Sequence, residues 1–261
     1  MTRTLDWEGC LNVRDLGGVP LEGGGSTRFG VLIRSDNIRR LSDEGWRSLA
    51  AHGVTRIVDL RWREELEDDP PRDVDLDVVH VSLLGEWDPD FRDDIDVFMA
   101  ADDPAGYWAA AYSRILEQYA PNFARALAAI ADADGTVVFH CAGGKDRTGL
   151  VAALLLRLAG APIAEIAHDY GLTFELRARG GPDEWVEAAR DDVERARRAF
   201  MQHTPPEAMR SALERLEASH GSVRAYLLRA GLDEGRIARL GERLAAEPIA
   251  ARDGQEPRAG R

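Results

Sequence analysis

Val137-Val138-Phe139-His140-Cys141-Ala142-Gly143-Gly144-Lys145-Asp146-Arg147-Thr148-Gly149 reads as a strand, a tight loop and the start of a helix. The β-branched, apolar run suits a buried strand. Leu150 to Leu158 then continues as an Ala- and Leu-rich helix. Such a loop turns backbone N–H groups toward one spot at the positive end of a helix, and that spot suits a phosphate. Two glycines let the backbone approach an anion closely. Cys141 stands at the floor of this cradle and Arg147 on its rim.

The pairing of Cys and Arg has a specific chemistry. A thiol attacks as its thiolate, and a helix N-terminus with a guanidinium nearby favours that form. A thiolate can reach a phosphorus only if the surrounding oxygens are neutralised. Loop N–H groups and a planar, bidentate Arg do this, and continue to do it as charge spreads in the transition state. Of the 33 Lys and Arg residues, Lys145 is the single lysine, and it lies inside this loop. A compact, flexible ammonium is expected there to add charge beside the bound anion.

His140-Cys141-x5-Arg147-Thr148-Gly149 resembles the signature of the cysteine-dependent protein tyrosine phosphatase superfamily. Cys141 to Arg147, in the form Cys-x-x-Gly-Lys-Asp-Arg, is similar to its bacterial atypical branch, which has mycobacterial members. Asn12-Val13-Arg14-Asp15-Leu16-Gly17-Gly18, Arg34-Ser35-Asp36 and Asp59-Leu60-Arg61 resemble further segments of that family. The resemblance runs from about Leu11 to about Leu244. It implies a tyrosine-phosphatase-like α/β fold, a central sheet flanked by helices, with a helical C-terminal elaboration.

It also implies a phosphomonoester hydrolase working through a phosphocysteine, with no cofactor or metal. Cys141 is the expected nucleophile and Arg147 the anion clamp. Ala142, Gly143, Gly144, Lys145 and Thr148 are the expected substrate-binding residues, the Thr148 hydroxyl being within reach of the sulfur. His140 is expected to order the loop and support the thiolate. Asp59, Arg14 and Asp15 are expected to be internal supports, as is Asp36. The general acid has several candidates: Asp146 within the loop, an upstream Asp in Trp87-Asp88-Pro89-Asp90 or Asp102-Asp103, and Asp59 or water. The substrate expected from the superfamily is a phosphotyrosine protein. Cys-x-x-Gly-Lys also resembles the loop of phosphoinositide phosphatases, where the Lys contacts further ring phosphates.

Composition narrows the alternatives. A chain of 261 residues can bury one sizeable α/β core. A net charge of -13 argues against a nucleic-acid partner and a polybasic membrane anchor. No 18-residue apolar run occurs, so no integral membrane segment is expected. The default location is cytoplasmic, with export without a classical signal implied as open by the related phosphatases. Cys10 is expected to be a structural thiol, and two cysteines make no zinc or disulfide framework. The six histidines lack metal-ligand spacing. Gly144-Lys145 is no nucleotide P-loop, since position 139 is Phe and Asp146 replaces Ser or Thr. A non-catalytic phosphate module would not need Cys141. A rhodanese-like sulfurtransferase would not need the run from Lys145 to Gly149.

Along the chain, Gly23-Gly24-Gly25 reads as a turn between short strands. Val31–Arg34, Thr55–Leu60, Val78–Val81 and Thr136–His140 read as strands. Helices are expected from Ser42 to about His52, over Pro104–Ala133 with a break near Pro121, over Arg147–Leu158, and from Pro162 to about Tyr170. Asp68-Asp69-Pro70-Pro71 reads as a loop. A long charged helix is expected over Asp183–Phe200, then helices from Pro205 to Ser219, Ser222 to Arg229 and Asp233 to Ala245. The expected organisation is one domain over residues 1–247, with 172–219 a helical lid and 248–261 a disordered tail.

Overall fold

The computed structural model describes residues 2–86 and 95–245. In chain order these hold β1 (Arg14–Asp15), β2 (Leu32–Ser35), a 3-10 turn (Ile38–Arg40), α1 (Asp43–Ala51), β3 (Val54–Asp59), α2 (Arg63–Asp68) and β4 (Asp77–His80). Next come α3 (Ile95–Ala100), α4 (Pro104–Gln118), α5 (Ala120–Ala131), β5 (Thr136–His140), α6 (Asp146–Leu158) and α7 (Ile163–Ala178). The C-terminal part is helical: α8 (Glu184–Glu187), α9 (Asp192–Gln202), α10 (Pro206–His220), α11 (Val223–Arg229) and α12 (Glu234–Leu244).

The strands form one sheet in the order β1-β2-β5-β3-β4. β2, β5, β3 and β4 are parallel, and β1 is an antiparallel edge. β5 is central and all five of its residues are buried, as a strand covered on both faces requires. The period of two sorts its side chains. Val138 joins Ile33, Ile57, Trp7 and Leu49 in a smaller cluster on one face. Val137 and Phe139 join Leu32 and Val58 in the larger cluster under α4, α5 and α6. Ser35, Asp59 and His140 lie in register at the carboxyl edge, so three parallel strands end beside the loop that Cys141 begins. A crevice at that edge is where an open α/β sheet places a ligand.

Gly23–Gly25 lies between the short antiparallel strands β1 and β2, and the chain beside it adds isolated Pro20–Ser26 and Thr27–Ala245 bridges. Several expectations are corrected here. α2 occupies residues 63–68, so the loop expected from Asp68 begins one residue later, at Asp69. α7 continues eight residues past Tyr170: Gly171 does not end it, because its bare Cα is where Pro206 packs. The expected Asp183–Phe200 helix is two helices. Asp183 caps α8 and Asp191 restarts the chain as the cap of α9.

The segment 172–219, expected as a lid, includes α10. α10 buries Ala208, Met209, Ala212, Leu213 and Leu216 in the main core and packs along α4 and α7. Its three larger side chains alone stabilise its seat by roughly 1.5–3 kcal/mol each. Within α9 only Phe200 is buried. The expected tail and the Asp88–Asp90 alternative lie outside the described residues.

Candidate active site

The loop from Cys141 to Arg147 is held from behind by buried polar groups. Arg34 Nη2 donates to the Gly144 carbonyl at 2.7 Å and Asn12 Nδ2 donates to it at 3.0 Å. The Asn37 N–H donates to the Ala142 carbonyl at 3.1 Å. Gly144 has φ +63, and a Cβ there would fall 2.7 Å from the Asp36 nitrogen, so the turn requires glycine. With these carbonyls tied back, the amides of Ala142 through Arg147 donate to no acceptor among the described residues. They sit at the N-terminus of α6, where donors and helix dipole both favour an anion.

Arg34 is itself fixed by Asp169 on α7, whose carboxylate also pairs with Arg3 and Arg14. Arg14, Arg34 and Asp169 are at most 1% exposed. Burial raises the Asp169 pKa, but the three guanidiniums outweigh it and hold the carboxyl well below the ordinary range. Arg14 is thus a support, reaching Asp169, Asn12 and Thr173. Its own pKa is lowered by burial to about 10. Asp15 lies away from this network: its carboxylate accepts the N–H groups of Gly17 and Gly30, both at 2.7 Å, and shapes a turn.

Cys141 is 2% exposed and lies at the floor of a cavity of about 660 Å³. Thr148 Oγ1 donates to its sulfur at 3.2 Å. His140 Nδ1 is 3.3 Å from the Cys141 carbonyl oxygen, and its Nε2 is 3.6 Å from Asp59 Oδ2. Burial lowers the His140 pKa against the pull of Asp59, which favours a neutral ring. Asp59 is spent on Arg61, to which it is bound through both oxygens. Cys10 donates to the Asn37 carbonyl at 3.4 Å, and burial pushes its thiol up.

Arg147 lines the cavity with its fork on Glu65 of α2. Nη2 donates to Oε1 at 2.9 Å and Nη1 donates to Oε2. The guanidinium lies 4.3 Å from the Trp62 ring centre. Burial lowers the Arg147 pKa, yet the Cys141 sulfur and Glu65 outweigh it and lift it above its ordinary value. Lys145 Nζ sits 3.4 Å above the Trp108 ring centre and 2.8 Å from Asp146 Oδ1. It forms an ion pair there without a well-aligned hydrogen bond. Burial brings its pKa down to about 8.

Not every expected substrate-binding residue lines the cavity. Ala142, Gly143, Lys145, Asp146 and Arg147 do, with Cys141. Gly144 and Thr148 do not: Gly144 is packed against β2 and its loop, and Thr148 is fully buried against the sulfur. Of the upstream acids, Asp103 is used to cap α4, accepting the Gly106 N–H at 2.7 Å, and neither it nor Asp102 lines the cavity. The walls are aromatic, with Trp62, Tyr107, Trp108 and Tyr119, and Gly180 to Trp185 with Met201 and Gln202 complete the enclosure.

Sequence reasoning did not find Glu65, Trp108, Tyr112, Asp169 or Arg177. Glu65 at the third position of α2 accepts the Trp62 N–H at 2.7 Å, a helix-start pairing hidden by the absence of Ser or Thr at the cap. Arg177 falls beyond Tyr170, where α7 continues farther than its pattern suggested, whereas Asp169 lies within the expected helix and its partners come from distant segments.

A cysteine at the carboxyl edge of a parallel strand, below a helix N-terminus and facing a clamped arginine, is an arrangement suited to holding a phosphate. The profile described as "Tyrosine phosphatase family" matches residues 5–246, and the chain belongs to that family. It is 33% identical over 231 residues to a "Tyrosine-protein phosphatase" of Nostoc commune, covering 82% of this chain and 74% of that one. It is 28% identical over 279 residues to the "Triple specificity protein phosphatase PtpB" of Mycobacterium tuberculosis, covering 89% and 95%. A "Putative tyrosine-protein phosphatase" of Cupriavidus necator is 30% identical over 172 residues, 64% and 61% of the two chains. The chain is therefore a tyrosine phosphatase enzyme. Among the described residues no helix is long and apolar enough to cross a membrane.

Proposed function

We propose that this phosphatase works through a phosphocysteine formed on Cys141. The observation that carries the proposal is the cradle itself: a sulfur at the floor, unengaged loop amides around it and a bidentate arginine in the same cavity. Cys141 attacks phosphorus in line with the leaving oxygen, while Arg147 and the loop N–H groups hold the equatorial oxygens. Thr148 hydrogen-bonds the sulfur and helps carry its charge.

Asp146 is the general acid of this reading. Asp36 lines the cavity but accepts the N–H groups of Leu11 and Asn12. Glu65 holds Arg147, and Asp183 holds Arg177 at 2.6 Å. Glu86 and Glu184 are exposed. Asp146 stands next to the nucleophile's loop with one oxygen uncommitted. After transfer it activates the water that cleaves the phosphocysteine.

The substrate in this reading is an aryl phosphate of phosphotyrosine type, which the aromatic walls fit. A substrate with a second phosphate, including a phosphoinositide, is favoured by Lys145, whose buried ammonium faces the cavity without an aligned acceptor. The relative named for triple specificity agrees with a range wider than phosphotyrosine. The cover over the site is the segment 180–202, within a single domain spanning residues 1–247. The test is a panel of phosphotyrosine, phosphoserine and phosphothreonine peptides with soluble phosphoinositides, assayed in EDTA. Turnover of phosphotyrosine peptides, and a larger loss on phosphoinositides than on a simple aryl phosphate in Lys145→Ala, is expected. Uniform losses across the panel would remove the second-phosphate role.

A further inference from the structure

We propose that Tyr112 is a positioning residue for Asp146, and that a buried pair of phenols, Tyr112 and Tyr170, fixes the carboxyl that protonates the leaving oxygen. This rests on the acid role given to Asp146 above. Tyr112 comes from α4 and Tyr170 from α7, and the two meet at the first residue of α6. Tyr112 Oη donates to Asp146 Oδ1 at 2.5 Å and lies 2.6 Å from Tyr170 Oη.

The direction of this chain follows from proton counting. A phenol has one proton, and that of Tyr112 goes to the carboxylate. In the second contact Tyr170 therefore donates and Tyr112 accepts. Tyr112 is fully buried and Tyr170 is 1% exposed, with their rings edge to face at 5.7 Å. Burial, with the charge of Asp146, raises both phenols well above their ordinary value, so both remain O–H donors at neutral and mildly alkaline pH.

Lys145 Nζ reaches the same Oδ1. One oxygen of Asp146 is thus committed on two sides. Oδ2 accepts no hydrogen bond from a described residue, and the side chain is 31% exposed on the cavity wall. Oδ2 is the oxygen left to carry the proton. In the reaction the Cys141 sulfur bonds to phosphorus and the ester P–O bond breaks. Its electron pair stays on the leaving oxygen, which takes the Oδ2 proton, and Tyr112 keeps its own proton throughout. Losing the Tyr112 donor frees the carboxyl to turn toward Lys145, and misdirection of this kind lowers the rate without changing how phosphate binds.

Tyr112→Phe removes the donor and keeps the ring, which packs 5.3 Å from Trp108. Its kcat on a phosphotyrosine peptide is expected to fall about tenfold, with KM changed less than about twofold. An aryl phosphate with a strongly acidic phenol should lose less than about twofold, so the dependence of kcat/KM on leaving-group pKa steepens. Tyr170→Phe should move the slope in the same direction by less. In an Asp146→Asn background, Tyr112→Phe should add no further loss. A Tyr112→Phe loss equal on both substrates, while Asp146→Asn still discriminates between them, overturns the positioning role alone. Asp146→Asn losses independent of the leaving group remove the acid and overturn the proposal with it. Should Tyr112→Phe not fold, the slope measured with Tyr170→Phe decides.

Discussion

The phosphate loop and the segment that covers it are built from the same residue types to opposite ends. Both are rich in Arg paired with Asp or Glu. Under the loop, Arg14, Arg34 and Asp169 are buried, interlocked and hydrogen-bonded on several sides. In the cover, Arg197 pairs with Asp96 and Arg190 with Glu194 in water. Buried charges lock a geometry because breaking one leaves others uncompensated, whereas exposed pairs contribute little and exchange readily with solvent. The loop is therefore a fixed cradle, and within α9 only Phe200 is buried, edge to face with Tyr107 of α4.

The largest effect should come from the cradle's own clamp. Arg147→Lys cannot span two phosphate oxygens or hold both oxygens of Glu65, and kcat/KM should fall by about a hundredfold or more. Steady-state kinetics checks this, and a near-normal value would show that the clamp is elsewhere.

Next is the foundation of the cradle. Asp169→Asn leaves Arg3, Arg14 and Arg34 without their shared counter-charge, an expected cost of about 3–5 kcal/mol. For a chain of this size that is a fall of about 10 °C in Tm, read by calorimetry. The wild-type contribution has a definite sign with pH. The Asp169 pKa is depressed on folding, so its stabilisation is present above the unfolded carboxyl range and is lost as pH falls through the folded value.

A smaller effect concerns Lys145. With its pKa brought down to about 8 by burial, its charge is present below that pH and is lost above it. Activity on a substrate with a second phosphate should decline by about tenfold above pH 8. Lys145→Arg should flatten that decline, since a guanidinium keeps its charge. An alkaline limb unchanged by Lys145→Arg would assign it to another group.

The smallest effect is in the cover. Amides of α9 should exchange with deuterium well before those of α10, which has Met209, Leu213 and Leu216 in the core. Arg197→Ala should leave Tm within scan error. Equal protection in the two helices would erase the contrast between cradle and cover.

How far the sequence foretold this depends on whether a residue acts through near or distant neighbours. Cys141, Lys145, Asp146 and Arg147 share one loop, and its strand–loop–helix pattern is local, so their meeting was legible. β5 was legible for the same reason, its β-branched residues being buried on both faces. Glu65, Tyr112 and Asp169 come from three other elements, and nothing in their own surroundings announces what they touch. The division of the C-terminal region was half-visible. Sparse apolar residues over Asp183–Phe200 suggested a weakly attached segment, but the pattern did not show that α10 belongs to the core. The α8–α9 break is carried by Asp191, whose carboxylate accepts the Glu194 N–H at 2.7 Å, and a run of acidic residues conceals such a cap.

The most direct test of the central claim is chemical trapping of the enzyme during turnover. A rapid acid quench of wild-type protein with an aryl phosphate, followed by mass spectrometry of the peptide containing Cys141, should find a phosphoryl group on the Cys141 sulfur. It should accumulate further in Asp146→Asn with a good leaving group, because the group that activates water is then missing. It should be absent from Cys141→Ser, whose turnover should fall below about a hundredth of wild type. Full turnover with no phosphoryl group on Cys141, or substantial activity in Cys141→Ser, would contradict the phosphocysteine account.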